Sequence, residues 1–130
     1  MESNLERQKD TAKSVVLILA TFPSAEVARQ IGTELVESQL AACVNLLPQI
    51  ESIYRWQGKV ETAEECLAIF KTTHERSDAL AAWLRERHPY EVPEILFIPV
   101  ESGLSDYLAW VRESVAAPPQ SGWTNGGDGA

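Results

Sequence analysis

The order of apolar patterns predicts an α+β domain of the ferredoxin-like, split βαβ class, with a long hairpin between the second and third strands and an extra C-terminal helix. Three observations lead there. Short apolar runs suited to strands alternate with stretches of helical period, a Gln57-Gly58-Lys59 turn joins two of those runs, and both arms of that hairpin carry apolar residues on both faces. A chain of 130 residues with 45% hydrophobic content and four Trp holds one domain with a real core.

Residues 1–14 are polar and lack a hydrophobic period, which predicts a loose N-terminal arm. Val15 to Thr21 is a continuous β-branched and aliphatic run, the composition of a strand covered on both faces. Phe22-Pro23-Ser24 breaks the run, and Ser24 is placed to cap a helix reaching about Ser38, with Val27, Ile31 and Leu35 on one stripe. Ala41 to Leu47 returns to strand composition until Pro48, a residue suited to a bulge or an edge. From Ile50 the residues alternate, with Ile50, Ser52, Tyr54 and Trp56 on one face and Glu51, Ile53 and Arg55 on the other. After the turn, Val60 to Thr73 returns with Leu67, Ile69 and Lys71 facing one way and Cys66, Ala68 and Phe70 the other. Such two-sided arms need cover on each side: helices on one, and a neighbouring subunit on the other.

Leu80, Trp83, Leu84 and Arg87 then recur at helical spacing, and Pro89 stops that helix just after His88. Ile95 to Val100 reads as a further strand and Gly103 as a break. Ser105 reads as the cap of a last helix with Leu104, Leu108, Val111 and Val115 inward. The Gly, Ser and Asn content beyond Pro118 predicts a disordered tail, here taken as residues 116–130, so the folded domain is residues 15–115.

Charge narrows the partners. A formal charge of -8 and a pI near 4.7 repel phosphate backbones and anionic lipid, so neither nucleic acid nor a membrane surface is expected. The longest apolar runs are too short to span a bilayer, and nothing in Met1 to Lys13 marks export. Cys43 and Cys66 lie in apolar strand segments and read as reduced thiols of a cytoplasmic protein.

Few residues suggest chemistry. Cys43 is either a soft donor for copper or zinc or a small hydrophobe between Ala42 and Val44, and the lack of a CxxC or Cys/His pair at ligand spacing favours the second. His88 is either a helix-end cation on the macrodipole or a ligand, with Glu91 and Glu94 adding oxygen donors. Tyr54, Trp56 and Lys71 are either cross-strand packing or the lining of a small-ligand cleft. There is no Ser or Cys nucleophile beside a histidine and no phosphate cradle, so no enzyme is expected.

At Ala42-Cys43-Val44-Asn45, Ser52-Ile53-Tyr54-Arg55-Trp56-Gln57-Gly58-Lys59, Lys71-Thr72-Thr73 and His88-Pro89-Tyr90-Glu91-Val92-Pro93-Glu94, the chain resembles the CutA divalent-cation tolerance family. The likeness runs from about Val15 to Val115, in the family's order and spacing. It implies a ferredoxin-like protomer in a stable homotrimer, with hairpins of neighbouring subunits completing intermolecular sheets, and a trunk similar to that of the PII signalling proteins. It also implies Cu(II) or another divalent ion, none obligatory, at Cys43 and His88, with Glu91 or Glu94 as carboxylate donors. The expectation is a non-enzymatic trimer of copper or divalent-ion tolerance that binds its ion weakly. The alternative is a PII-like sensor holding a small carboxylate- or amine-bearing molecule between subunits through Trp56, Lys71, Tyr90 and Glu94.

Overall fold

The computed structural model describes residues 4–116; apart from Ala116, the expected tail lies outside them. The elements are β1 (Leu5–Arg7), β2 (Val15–Phe22), α1 (Ala25–Glu37), β3 (Cys43–Trp56), β4 (Lys59–Thr73), α2 (His74–Arg87), β5 (Ile95–Pro99), β6 (Ser102–Leu104) and α3 (Ser105–Ser114). Four strands form an antiparallel sheet in the order β3-β4-β2-β5, which is the ferredoxin-like arrangement, and β1 pairs with β6 in a separate ribbon.

Local chemistry accounts for the boundaries. Ser24 is extended and its hydroxyl accepts from the Val27 amide, so α1 begins where the sequence placed it. Gln57 and Gly58 both have positive φ, the backbone of a two-residue hairpin turn, and this sets Trp56 opposite Lys59. Between Leu47 and Ile50 the register slips: Pro48 and Gln49, the latter at φ 60°, together face only Cys66 on β4. Pro48 has no amide to donate and β3 is an edge strand, the setting in which a bulge and a proline are tolerated.

Helices α1 and α2 pack on one sheet face. Ile18, Ala20, Phe22, Cys66, Ala68 and Phe70 meet Ala28, Ile31 and Leu35 of α1 and Leu80 and Leu84 of α2. Gly32 lets α1 approach β3 closely, since a Cβ there would stand 2.9 Å from Val44 Cγ1. Among the described residues the opposite face is covered only at one end, where Leu108, Val111 and Val115 pack on Val15 and Ala42. Elsewhere Leu17, Leu19, Leu67 and Ile69 stay half-buried, and on β5 Leu96 is 53% and Ile98 39% exposed.

Two expectations need correction. Ser105 does not cap α3: Leu104 occupies the cap position without a side-chain bond, and Ser105 is the first helical residue. The N-terminal segment is not a loose arm over its described length. Leu5, Glu6 and Arg7 pair with Leu104, Gly103 and Ser102, and the Ser14 and Ala12 carbonyls receive the His74 and Glu75 amides at 2.8 and 2.9 Å. Those amides open α2, whose cap residue Thr73 supplies no side-chain bond, so the segment satisfies donors that the helix cannot.

Gln8 is the anchor of that segment. Its Nε2 donates to the Val100 and Val15 carbonyls at 2.6 and 3.1 Å, while its Oε1 accepts from the Val15 amide at 2.7 Å and from Arg112 Nη2 at 3.1 Å. A polar, aperiodic stretch hides this because its bonds run to backbone groups distant in sequence. Replacing Gln8 by Ala leaves those groups without their partner and should cost about 1–3 kcal/mol in denaturant unfolding. A change within the error of the wild type would return the segment to a loose arm.

Candidate functional site

The β3–β4 hairpin is longer than the sheet it belongs to. β2 ends with Phe22 opposite Cys66, so the arms from Ile50 to Glu65 extend past it as a two-stranded ribbon. The chain between α2 and β5 comes up alongside. Together they enclose an open groove of about 860 Å³, within the usual range for small-ligand sites of roughly 300–1,000 Å³. Ser52, Tyr54 and Trp56 line it from β3, Ala63, Glu64 and Glu65 from β4, and Tyr90, Glu91 and Glu94 from the connecting segment.

His88 fixes that segment. It is 8% exposed, and its ring stacks on Phe22 at 4.7 Å and 16° and lies tilted against Tyr90 at 4.9 Å. The Tyr90 amide reaches Nδ1 at 3.1 Å, so Nδ1 must accept, and Nε2 therefore carries the proton it donates to the Thr21 carbonyl at 2.8 Å. Both ring nitrogens are committed and the imidazole is neutral. The sequence reading of a protonated helix-end cation is thus replaced by a buried bracket between β2 and the Tyr90 turn; only the His88 backbone amide caps α2, on Leu84 O at 2.8 Å. Tyr90 carries the link onward, its hydroxyl donating to Glu65 Oε2 at 2.8 Å, and burial with the Glu65 carboxylate raises the phenol well above its ordinary range.

The structure therefore brings Tyr54, Trp56, Tyr90, Glu91 and Glu94 to one groove, adds Glu64 and Glu65, keeps His88 behind the lining, and leaves Lys71 and Cys43 elsewhere. Lys71 lies six residues beyond Glu65 on β4, roughly 20 Å along the strand. Its ammonium bonds Asn45 Oδ1 and stands 5.9 Å from the centre of the Tyr107 ring. Cys43 pairs with Lys71 in register, whereas His88 bonds Thr21, which is opposite Leu67. Cys43 lines a second, shallower groove with Arg29, Gly32, Val36 and Leu46. Among the described residues no three His, Cys, Asp or Glu side chains converge on a point, so Cys43, His88, Glu91 and Glu94 do not form a ligand cage within one chain. Cys66 is fully buried, and that burial pushes its thiol up.

Glu65 was within reach of sequence reasoning. Counting back from the Gln57-Gly58 turn puts Glu65 opposite Ile50, on the face of Ser52, Tyr54 and Trp56. The meeting of that face with Tyr90 was not, since it depends on where α2 delivers the chain.

Burial is the main cause holding His88 below its ordinary pKa, against the opposing pull of the Thr21 carbonyl bond and the Glu65 charge. With the folded value below the unfolded value of about 6.5, the bracket stabilises the fold fully above that pH, and the contribution is lost as pH falls from there through the lower folded value. Denaturant midpoints should therefore fall between pH 7.5 and 5.5 in the wild type and stay nearly level in His88→Gln. Parallel decline in both would place the titration elsewhere.

Comparison with known proteins agrees with this geometry. Residues 16–114 match the family described as CutA1 divalent ion tolerance protein. Protein CutA of Mus musculus is 45% identical over 109 residues, spanning 84% of this chain and 62% of that protein, so the chain covers under two thirds of its mammalian relative. The divalent-cation tolerance protein CutA of Thermus thermophilus is 48% identical over 98 residues, covering 75% of this chain and 95% of that one. Among solved structures, CutA from Synechococcus elongatus superposes with a TM-score of 0.79 at 39% identity, over 86% of this chain and 96% of that chain. The same protein complexed with a Bis-Tris molecule gives 0.75 at 38% identity, over 85% and 98%. Four sequence blocks, the strand order and these matches lead to one statement: the chain belongs to the CutA1 divalent ion tolerance family.

Proposed function

We propose that this protein acts as a homotrimer without catalytic activity in divalent-cation tolerance, binding Cu(II) or a similar ion weakly and needing no obligatory cofactor. The observation that carries the assembly is the sheet face opposite α1 and α2, where among the described residues aliphatic rows stay partly open between the sheet's two edges, β3 and β5. Exposed apolar area of this extent marks an interaction surface, and identical copies with one open edge of each kind close into a ring. Glu91, Glu94 and Cys43 are the donors free to meet an ion, and His88 would have to give up a hydrogen bond to do so. Weak, dispersed contact is what such a donor set supports, since nothing in it resembles a pre-formed cage. Two free cysteines suit a reducing, cytoplasmic setting.

A second reading has its own observation: the aromatic and acidic groove is shaped for an organic molecule. On that reading the protein is a PII-like sensor whose ligand sits between subunits, in a family where one relative has been solved with Bis-Tris.

Sedimentation at micromolar concentration should give a species of three chains; a well-folded single chain would overturn the assembly. Calorimetric titration of Cu(II) should show weak binding that falls at least severalfold in a Cys43→Ser, Glu91→Gln, Glu94→Gln variant. Equal binding by both proteins would remove these residues from the ion site.

A further inference from the structure

We infer that the groove between the hairpin and the Tyr90 turn is a site for a small organic ammonium ion. This rests on the second reading above and narrows its carboxylate- or amine-bearing ligand to the amine.

The charges around the groove decide the sign of the ligand. Glu64, Glu65, Glu91 and Glu94 line it, and among the described residues no Lys, Arg or His does. The ion pairs among the described residues join Arg7 to Glu101, Lys13 to Glu75, Arg87 to Glu86 and Arg112 to Glu6, so none of the four groove carboxylates is neutralised. Arg85 comes to the segment but spends its Nη1 on the Glu91 carbonyl at 2.9 Å. Lys71, the residue suited to receive a carboxylate, is held by Asn45 beside Tyr107 at the other end of β4. An anion entering the groove would meet only like charge.

The aromatic residues decide between an organic cation and a bare metal ion. Tyr54 and Trp56 keep more than two fifths of their surface exposed at the groove, and Tyr90 closes the other side. Aromatic faces attract a cation whose charge sits on a weakly hydrated nitrogen, and they pack on its carbon substituents as well. A metal ion needs several oxygen or nitrogen donors converging at bonding distance, and the described residues offer no such set. Tyr90 is no substitute ligand, since its hydroxyl donates its proton to Glu65. That bond keeps Glu65 aimed at the groove, where its carboxylate can balance a charged nitrogen. The groove's 860 Å³ leaves ample room for an amine of metabolite size.

Calorimetry of the intact protein with choline, its uncharged isostere 3,3-dimethylbutan-1-ol and acetate tests the assignment. Choline should bind saturably and about tenfold more tightly than the isostere, as a cation–π contact with a carboxylate nearby requires, and acetate should not bind. Glu65→Gln and Trp56→Leu should each weaken choline about tenfold while sedimentation and melting stay as in the wild type; should Trp56→Leu fail to fold, Glu65→Gln alone suffices. Choline binding no tighter than the isostere, acetate binding in its place, or an unaffected Glu65→Gln would overturn the ligand class. A groove filled by a segment of a neighbouring copy in a trimer crystal would overturn the site and leave the trimer standing. A monomer in sedimentation would instead remove the assembly while the choline result still judged the groove.

Discussion

A four-stranded sheet with two helices has only enough helix to cover one face, and that shortage governs most of what is seen here. Ile18, Phe22 and Phe70 sit under α1 and α2 and are fully buried, while alternate residues point to the other face, where among the described residues α3 covers only the end at Val15 and Ala42. Leu17, Leu19, Leu67 and Ile69 are as aliphatic as their buried neighbours. Fully burying each such side chain is worth about 1.5–3 kcal/mol, and this chain alone collects only part of that. A domain with polar residues on this face would be complete by itself. This one carries a second core surface, and copies of the chain are the cover we propose for it.

The same shortage of cover shapes the groove. The hairpin runs on past β2, and a two-stranded ribbon alone is marginal in water, so its aromatic residues need something beside them. Part of that is supplied by the turn after α2. His88 ties the turn to β2 through Thr21, stacks on Phe22 of the core, and orients Tyr90, whose hydroxyl reaches Glu65 on the hairpin. A residue suggested by its motif as a metal ligand thus serves as the joint between core and groove. Its neutrality follows from the amide aimed at Nδ1, and its burial keeps it so.

Much of this was legible in the residues. The Ser24 cap, the turn at Gln57-Gly58, the bulge at Pro48 and the two-sided arms of the hairpin are all written in local chemistry, and the strand order follows from them. What local pattern could not carry was long-range satisfaction of polar groups. Gln8 looks like one more polar residue in a tail, yet its amide serves the Val15 and Val100 backbones, 85 residues apart in the chain. Lys71 was grouped with Trp56 because both lie on the hairpin, but 15 residues of strand is long enough to hold two separate sites. His88, Glu91 and Glu94 share one motif, and proximity in sequence suggested a common ligand. Backbone geometry turned the imidazole inward and the carboxylates outward.

Other copies of the chain are the proposed cover for the open sheet edges. Amide hydrogen exchange at micromolar protein reads this directly, because among the described residues β5 and Cys43–Leu47 of β3 are sheet edges with no strand on their outer side. Covered edges predict protection approaching that of the central strands β2 and β4, lost on dilution together with the oligomer. Fast exchange along both edges, at a concentration where β2 and β4 remain protected, would contradict the account.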